Sequence, residues 1–91
     1  MAYQVPQKTT INRFGIDVET HCASVLVHRL GGLKSTYSIR HAGAYREDRG
    51  YSQVWVDTRW TEQELEAWLD KSKGIDYVGV WVREESQTIA A

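Results

Sequence analysis

Ninety-one residues are enough for one domain with a single core of adequate size. With 42% hydrophobic and 25% charged residues, the composition is that of an ordinary soluble globular domain. A formal net charge of −1 argues against a general nucleic-acid binder held by surplus cations, and equally against a strongly acidic nucleic-acid mimic. The single cysteine, Cys22, has no intramolecular disulfide partner, so a reducing compartment suits the chain. No apolar run approaches the roughly 18 residues of a membrane span. Residues 1–10 lack the apolar stretch of a signal peptide, and a cytoplasmic location is expected.

In chain order, residues 1–10 are polar and predict a loose lead-in. Residues 11–19 alternate, with Phe14, Ile16 and Val18 on one side and Arg13, Asp17 and Glu19 on the other, the pattern of a half-buried strand. Residues 20–41 admit two readings. In the preferred one, 23–30 is a strand around Val25-Leu26-Val27, Gly31-Gly32 is a hairpin turn, and 33–41 is the return strand with Leu33, Tyr37 and Ile39 on one face. In the alternative, 20–31 is a helix that Thr20 caps and Gly31 ends, with Cys22, Leu26 and Leu30 on one face.

Residues 42–51 have loop composition, with Gly43 and Gly50 as breakers. Residues 52–57 form a strand, with Val54 and Val56 opposite Gln53, Trp55 and Asp57. The strongest local signal follows at 61–73. Thr61 and Glu64 match a capping box, Trp60 and Leu65 a hydrophobic staple, and Leu65, Trp68 and Leu69 one apolar stripe. Glu62 and Glu64 in the first turn and Lys71 and Lys73 in the last complement the helix dipole, and Gly74 is placed to stop the helix. Residues 77–83 alternate again, with Val78, Val80 and Val82 opposite Tyr77, Gly79 and Trp81, and 84–91 reads as a frayed tail.

The pattern predicts a single α+β domain over 1–91, a two-layer antiparallel sheet with strands near 11–19, 23–30, 33–41, 52–57 and 77–83 packed by one helix over 61–73. With 20–31 helical instead, the order becomes βαββαβ and the expected fold ferredoxin-like. A helix packed on the valine face leaves Trp55, Tyr77 and Trp81 on the other face. An uncovered aromatic patch of that kind marks a binding site or a homodimer contact.

No nucleophile elbow, phosphate-cradling glycine loop or paired-carboxylate constellation is present, so no enzymatic activity is expected. His21, Cys22, His28 and His41 lack paired metal-ligand spacing, and Cys22 reads as a small buried hydrophobe. No cofactor or metal is expected. Arg40, His41, Tyr45, Arg46, Arg49 and Tyr51 interleave cations with rings, a composition that serves a protein hot spot or base stacking alike. The candidate partner-binding residues are therefore Tyr45, Arg46, Arg49, Tyr51, Trp55, Tyr77 and Trp81. The partner would be a protein or ribonucleoprotein complex, with single-stranded nucleic acid as the alternative.

Two stretches resemble known families. Thr20-His21-Cys22-Ala23-Ser24 and Leu30-Gly31-Gly32-Leu33-Lys34-Ser35 resemble the metal loop and helix-to-strand turn of heavy-metal-associated domains, with Val25 where that family has its second cysteine. This resemblance implies a ferredoxin-like fold with a degenerate metal loop. Asp57, Thr61-Glu62-Gln63 and Leu65-Glu66-Ala67-Trp68 resemble small phage-encoded anti-CRISPR inhibitors of type I surveillance complexes. That resemblance implies a stoichiometric inhibitor, acting in the host cytoplasm by occluding its target.

Overall fold

The computed structural model describes residues 8–45 and 50–90. Six elements follow one another: β1 (Lys8–Glu19), α1 (Thr20–Gly31), β2 (Thr36–Tyr45), β3 (Tyr51–Thr58), α2 (Glu62–Lys71) and β4 (Tyr77–Ala90). The four strands form one antiparallel sheet in the order β2-β3-β1-β4. Because β3 is antiparallel to both β1 and β2, these two run parallel with β3 between them, and α1 makes the crossover that such a pair requires. The same holds for β3 and β4, separated by β1 and joined through α2.

The expected α+β class with a two-layer antiparallel sheet is observed, with four strands and two helices. The strand expected at 23–30 and its Gly31-Gly32 hairpin are not. Residues 20–31 are helical, and Cys22, Ala23, Leu26 and Leu30 are buried, a helical stripe that leaves Val25 40% exposed. The physical reason lies in the partner surface. Phe14, Ile16, Val18, Val54 and Val56 offer more apolar area than α2 alone can cover, and a helix presents one stripe to it, whereas a strand would extend the sheet and leave it bare. Gly32 caps the helix in right-handed conformation, and backbone bonds from Gly32 to Arg29 and from Leu33 to Leu30 close the last turn, so the glycine pair ends a helix.

The second helix begins as its sequence predicts. The Glu64 N–H donates to Thr61 Oγ1 at 3.2 Å and the Thr61 N–H to Glu64 Oε1 at 3.1 Å, completing the capping box. The helix stops at Lys71, earlier than expected, because Ser72 turns to an extended conformation and bonds its hydroxyl to Trp68 O. Gly74, with φ of 80°, then bends the chain toward β4 and does not itself cap the helix.

Leu65 and Leu69 of α2 and the buried stripe of α1 meet the sheet over Ile16, Val18, Val54 and Val56, all fully buried. Trp60 and Trp68 pack beside this core with ring centroids 6.2 Å apart.

The strands differ from expectation at their ends and in their regularity. Residues 8–10 and 84–90, expected to be loose, are the outer ends of β1 and β4, paired from Lys8↔Ala90 inward. The strand expected at 33–41 is β2, which starts at Thr36 and runs on through Tyr45 into the expected loop, while Leu33 belongs to the turn after α1. Tyr37 sits at a register shift, opposite no residue of β3, and is 44% exposed.

In β4 the expected valine face is broken. Val18 pairs with Tyr77 and Asp17 with Gly79, so Val78 is an inserted residue and is 64% exposed. Val80 packs against the core, and Val82, opposite Phe14 on the same side, is left 55% exposed.

Candidate functional site

Both helices pack on one side of the sheet, and the side chains of the other side form the candidate site. Strand register arranges them in three cross-strand rows. The outer row is Ser38–Asp57–Arg13–Glu84, the middle row is Arg40–Trp55–Gly15–Trp81, and the third is Gly43–Gln53–Asp17–Gly79. Tyr51, by the alternation of β3, belongs to the same face.

The middle row depends on a glycine. A Cβ at Gly15 would lie 2.3 Å from the Trp81 ring, so that ring rests directly on the backbone of β1. This is the close approach for which a glycine within a strand is needed. The Trp81 indole N–H donates to Asp17 Oδ1 at 3.3 Å, which fixes its orientation. Trp55, directly across Gly15, has the guanidinium carbons of Arg40 and Arg83 at 4.5 Å and 4.8 Å from its ring centroid. Both contacts are in cation–π range. Its own indole nitrogen is buried without a hydrogen-bond partner among the described residues.

Arg83 reaches this position through a bulge. Val82 pairs with Phe14 and Glu84 with Arg13, so Arg83 is an extra residue. Its Nε donates to Phe14 O at 2.9 Å and its Nη2 to Asp57 Oδ1. Asp57 also accepts from Ser38 Oγ at 3.1 Å and lies 3.6 Å from Arg13 Nε. Arg13 Nη1 donates to Glu84 Oε2 at 2.6 Å. That hydrogen bond first, and the Glu84 charge second, raise the Arg13 pKa above its already high value, so the cation is permanent.

Around the two tryptophans, Arg13, Arg40 and Arg83 are thus matched by Asp17, Asp57 and Glu84. The Arg13 and Asp57 side chains are 27% and 23% exposed and that of Arg83 only 13%, so the network is fixed and partly desolvated. A depression of about 330 Å³ opens beside it, lined by Ser38, Ile39, Arg40, Trp55, Asp57, Arg83 and Glu84. Chemically, this face offers half-buried aromatic rings held by arginines that are themselves fixed on acids, a rigid surface suited to recognition by contact.

Of the residues expected to bind a partner, Trp55 and Trp81 lie together in the middle row and Tyr51 on the same face. Tyr45 ends β2 opposite Tyr51. Arg46 and Arg49 lie outside the described residues.

Tyr77 is a correction. The bulge at Val78 turns it to the helix side, where it packs against the core and donates to Asp70 Oδ1 of α2 at 2.5 Å. Accepting that bond, Asp70 pushes the phenol pKa up to about 12 from 10.0, with burial adding to the effect. Because the folded-state value is the higher one, the stabilisation from this bond is fully present below pH 10 and lost as pH rises through about 12. Ultraviolet titration should find one tyrosine ionising near 12 in the wild type and nearer 10 in Asp70→Ala. An unmoved midpoint would show that the carboxylate does not hold the proton.

Arg13, Arg40, Asp57 and Arg83 were not among the expected binding residues. The alternation of β1 and β3 places Arg13 and Asp57 on this face, and Gly15 inside β1 signals a close approach. The alternation of β4 puts Arg83, two residues after Trp81, on this face too, but does not show the bulge that brings its guanidinium over Trp55.

No protein-family model, curated protein or solved structure shows significant similarity to this chain. No helix among the described residues is long and apolar enough to cross a membrane.

Proposed function

We propose that the chain is a non-enzymatic binding protein that docks on a protein complex through the open face of its sheet and inhibits that complex by occlusion. The observation that carries this reading is the half-buried row of Trp55 and Trp81, on the sheet face without helices, beside Arg40 and Arg83. Tryptophan and arginine carry a large share of binding energy where proteins meet, above all when a fixed polar rim surrounds them. The βαββαβ order and sheet order favour a ferredoxin-like reading of the fold, in which two helices occupy one sheet face and leave the other to a partner. The likeness of 57–68 to phage-encoded anti-CRISPR proteins names the class of target, a host surveillance complex in the cytoplasm.

Single-stranded nucleic acid is less well supported as the partner. The rings suit base stacking, but Arg13 and Arg83 are engaged by Glu84 and Asp57 and are not available to phosphates.

Affinity capture from nuclease-treated bacterial lysate tests the proposal. The wild-type chain should retain one dominant complex. Trp55→Ala and Arg40→Ala should lose it without a change in melting temperature large enough to imply unfolding, while Lys34→Ala, exposed in the turn after α1, keeps it. Retention by Trp55→Ala would sink the assignment of this face. Capture abolished by nuclease, with affinity for oligonucleotide that falls steeply with salt, would replace the protein partner with nucleic acid.

A further inference from the structure

The end of β1, the first turn of α1 and the loop before β4 bring together four side chains outside the three cross-strand rows around Trp55 and Trp81. Glu19 is the last residue of β1 and the N-cap of α1, His21 and Cys22 lie in the first turn of that helix, and Asp76 precedes β4. One ligand atom from each lies within 4.8 Å of all the others. We propose that Glu19, His21, Cys22 and Asp76 form a zinc(II) site.

The backbone already holds the two segments in register. The Glu19 N–H donates to Asp76 O at 3.0 Å, and Cys22 Sγ donates to Gly74 O at 3.3 Å. Cys22 is 1% exposed, so its sulfur sits at the floor of the cluster. Above it the His21 and Glu19 side chains are 71% and 39% exposed, with Nε2 and Oε2 at 3.5 Å. A tetrahedral zinc ion with bonds of roughly 2.0–2.3 Å sets its ligand atoms about 3.3–3.8 Å apart. The four atoms lie within 4.8 Å of one another, and the exposed His21 and Asp76 side chains have solvent on one side in which to turn toward an ion.

The donor set chooses the ion. A thiolate and an imidazole are poor ligands for magnesium or calcium, which take oxygen. One sulfur among two carboxylates does not serve a cuprous ion, which selects paired soft ligands. Sulfur, nitrogen and oxygen in a four-donor cluster suit zinc, or cobalt(II) as its spectroscopic substitute. On binding, the Cys22 thiol gives up its hydrogen bond to Gly74 O and releases its proton to solvent, and the thiolate takes the metal. The ion would then tie the start of α1 to the loop that leads into β4.

Native mass spectrometry and calorimetry of metal-stripped protein with equimolar zinc test the site. One ion per chain is expected. Cys22→Ser and His21→Ala should each weaken binding by about 100-fold or more, at or beyond the upper end of what outer-shell substitutions cost. His28→Ala, a histidine outside the cluster, should change nothing. The cobalt(II) form should show a near-ultraviolet thiolate-to-metal charge-transfer band that Cys22→Ser abolishes. Should Cys22→Ser fail to fold because its core site is disturbed, His21→Ala and Asp76→Asn, both at exposed positions, decide the matter. No binding at equimolar zinc, binding that survives His21→Ala, or a cobalt spectrum without the thiolate band overturns the proposal.

Discussion

Gly15→Ala is expected to destabilise the protein by about 1–3 kcal/mol, the usual cost of forcing an extra methyl group into a filled position. The added Cβ would lie 2.3 Å from two atoms of the Trp81 ring, a distance no non-bonded pair of carbons tolerates. The backbone of β1 is held on both sides by β3 and β4, so the ring is the part that gives way. Trp81 then loses both its seat on the strand and its bond to Asp17. Urea unfolding followed by tryptophan fluorescence should show a lower midpoint and an altered native emission. A double-mutant cycle isolates the cause. In a Trp81→Ala background the same substitution should be neutral, or stabilising by up to roughly 1 kcal/mol, because alanine restricts the unfolded chain more than glycine does. An equal loss in both backgrounds would mean that the glycine serves the backbone and not the ring.

Leu26→Ala should cost more, about 2–5 kcal/mol, whereas Val25→Ala should stay within about 0.5 kcal/mol of wild type. Leu26 is fully buried between α1 and the sheet, and truncation there leaves a cavity whose walls belong to two layers. Val25, one residue away, is 40% exposed on the outer surface of the helix. Alanine also favours helix over valine by a few tenths of a kcal/mol, which offsets the small loss of contact. Chemical denaturation of the two variants measures the asymmetry directly. Similar losses at both positions would mean that 20–31 does not present the observed stripe to the core.

How much of this was legible depended on whether a signal was local. The capping box of α2 is written in residues three apart, and Thr61 and Glu64 make both of its bonds. The alternation of β1 and β3 is similarly self-contained, because these are the central strands and their register runs unbroken from Asn12↔Thr58 to Glu19↔Tyr51. The segment 20–31 was not decidable locally. Val25-Leu26-Val27 favours a strand by propensity, and only the apolar area offered by the sheet makes the helix the better use of Leu26 and Leu30. Tyr77 was misplaced because it precedes the inserted Val78, which puts it out of step with Gly79 and Trp81, so that they keep the open face and Tyr77 turns to the helices. Trp55 and Trp81 were placed correctly on the open face, but the glycine seat and the arginines that define their surroundings depend on pairings across three strands.

The distribution of the register shifts bears on solubility. Within the sheet they fall on the pairings of the two outer strands, β2 and β4, while the pairing of β1 with β3 is regular. An outer strand offers unpaired backbone donors and acceptors to any other chain that approaches in extended form. Here such an intruder would find its ladder thrown out of step at Tyr37 and Ala42 along one margin, and at Val78 and Arg83 along the other. With Val78 and Val82 exposed, straight margins would be templates for aggregation, and the kinks protect against it.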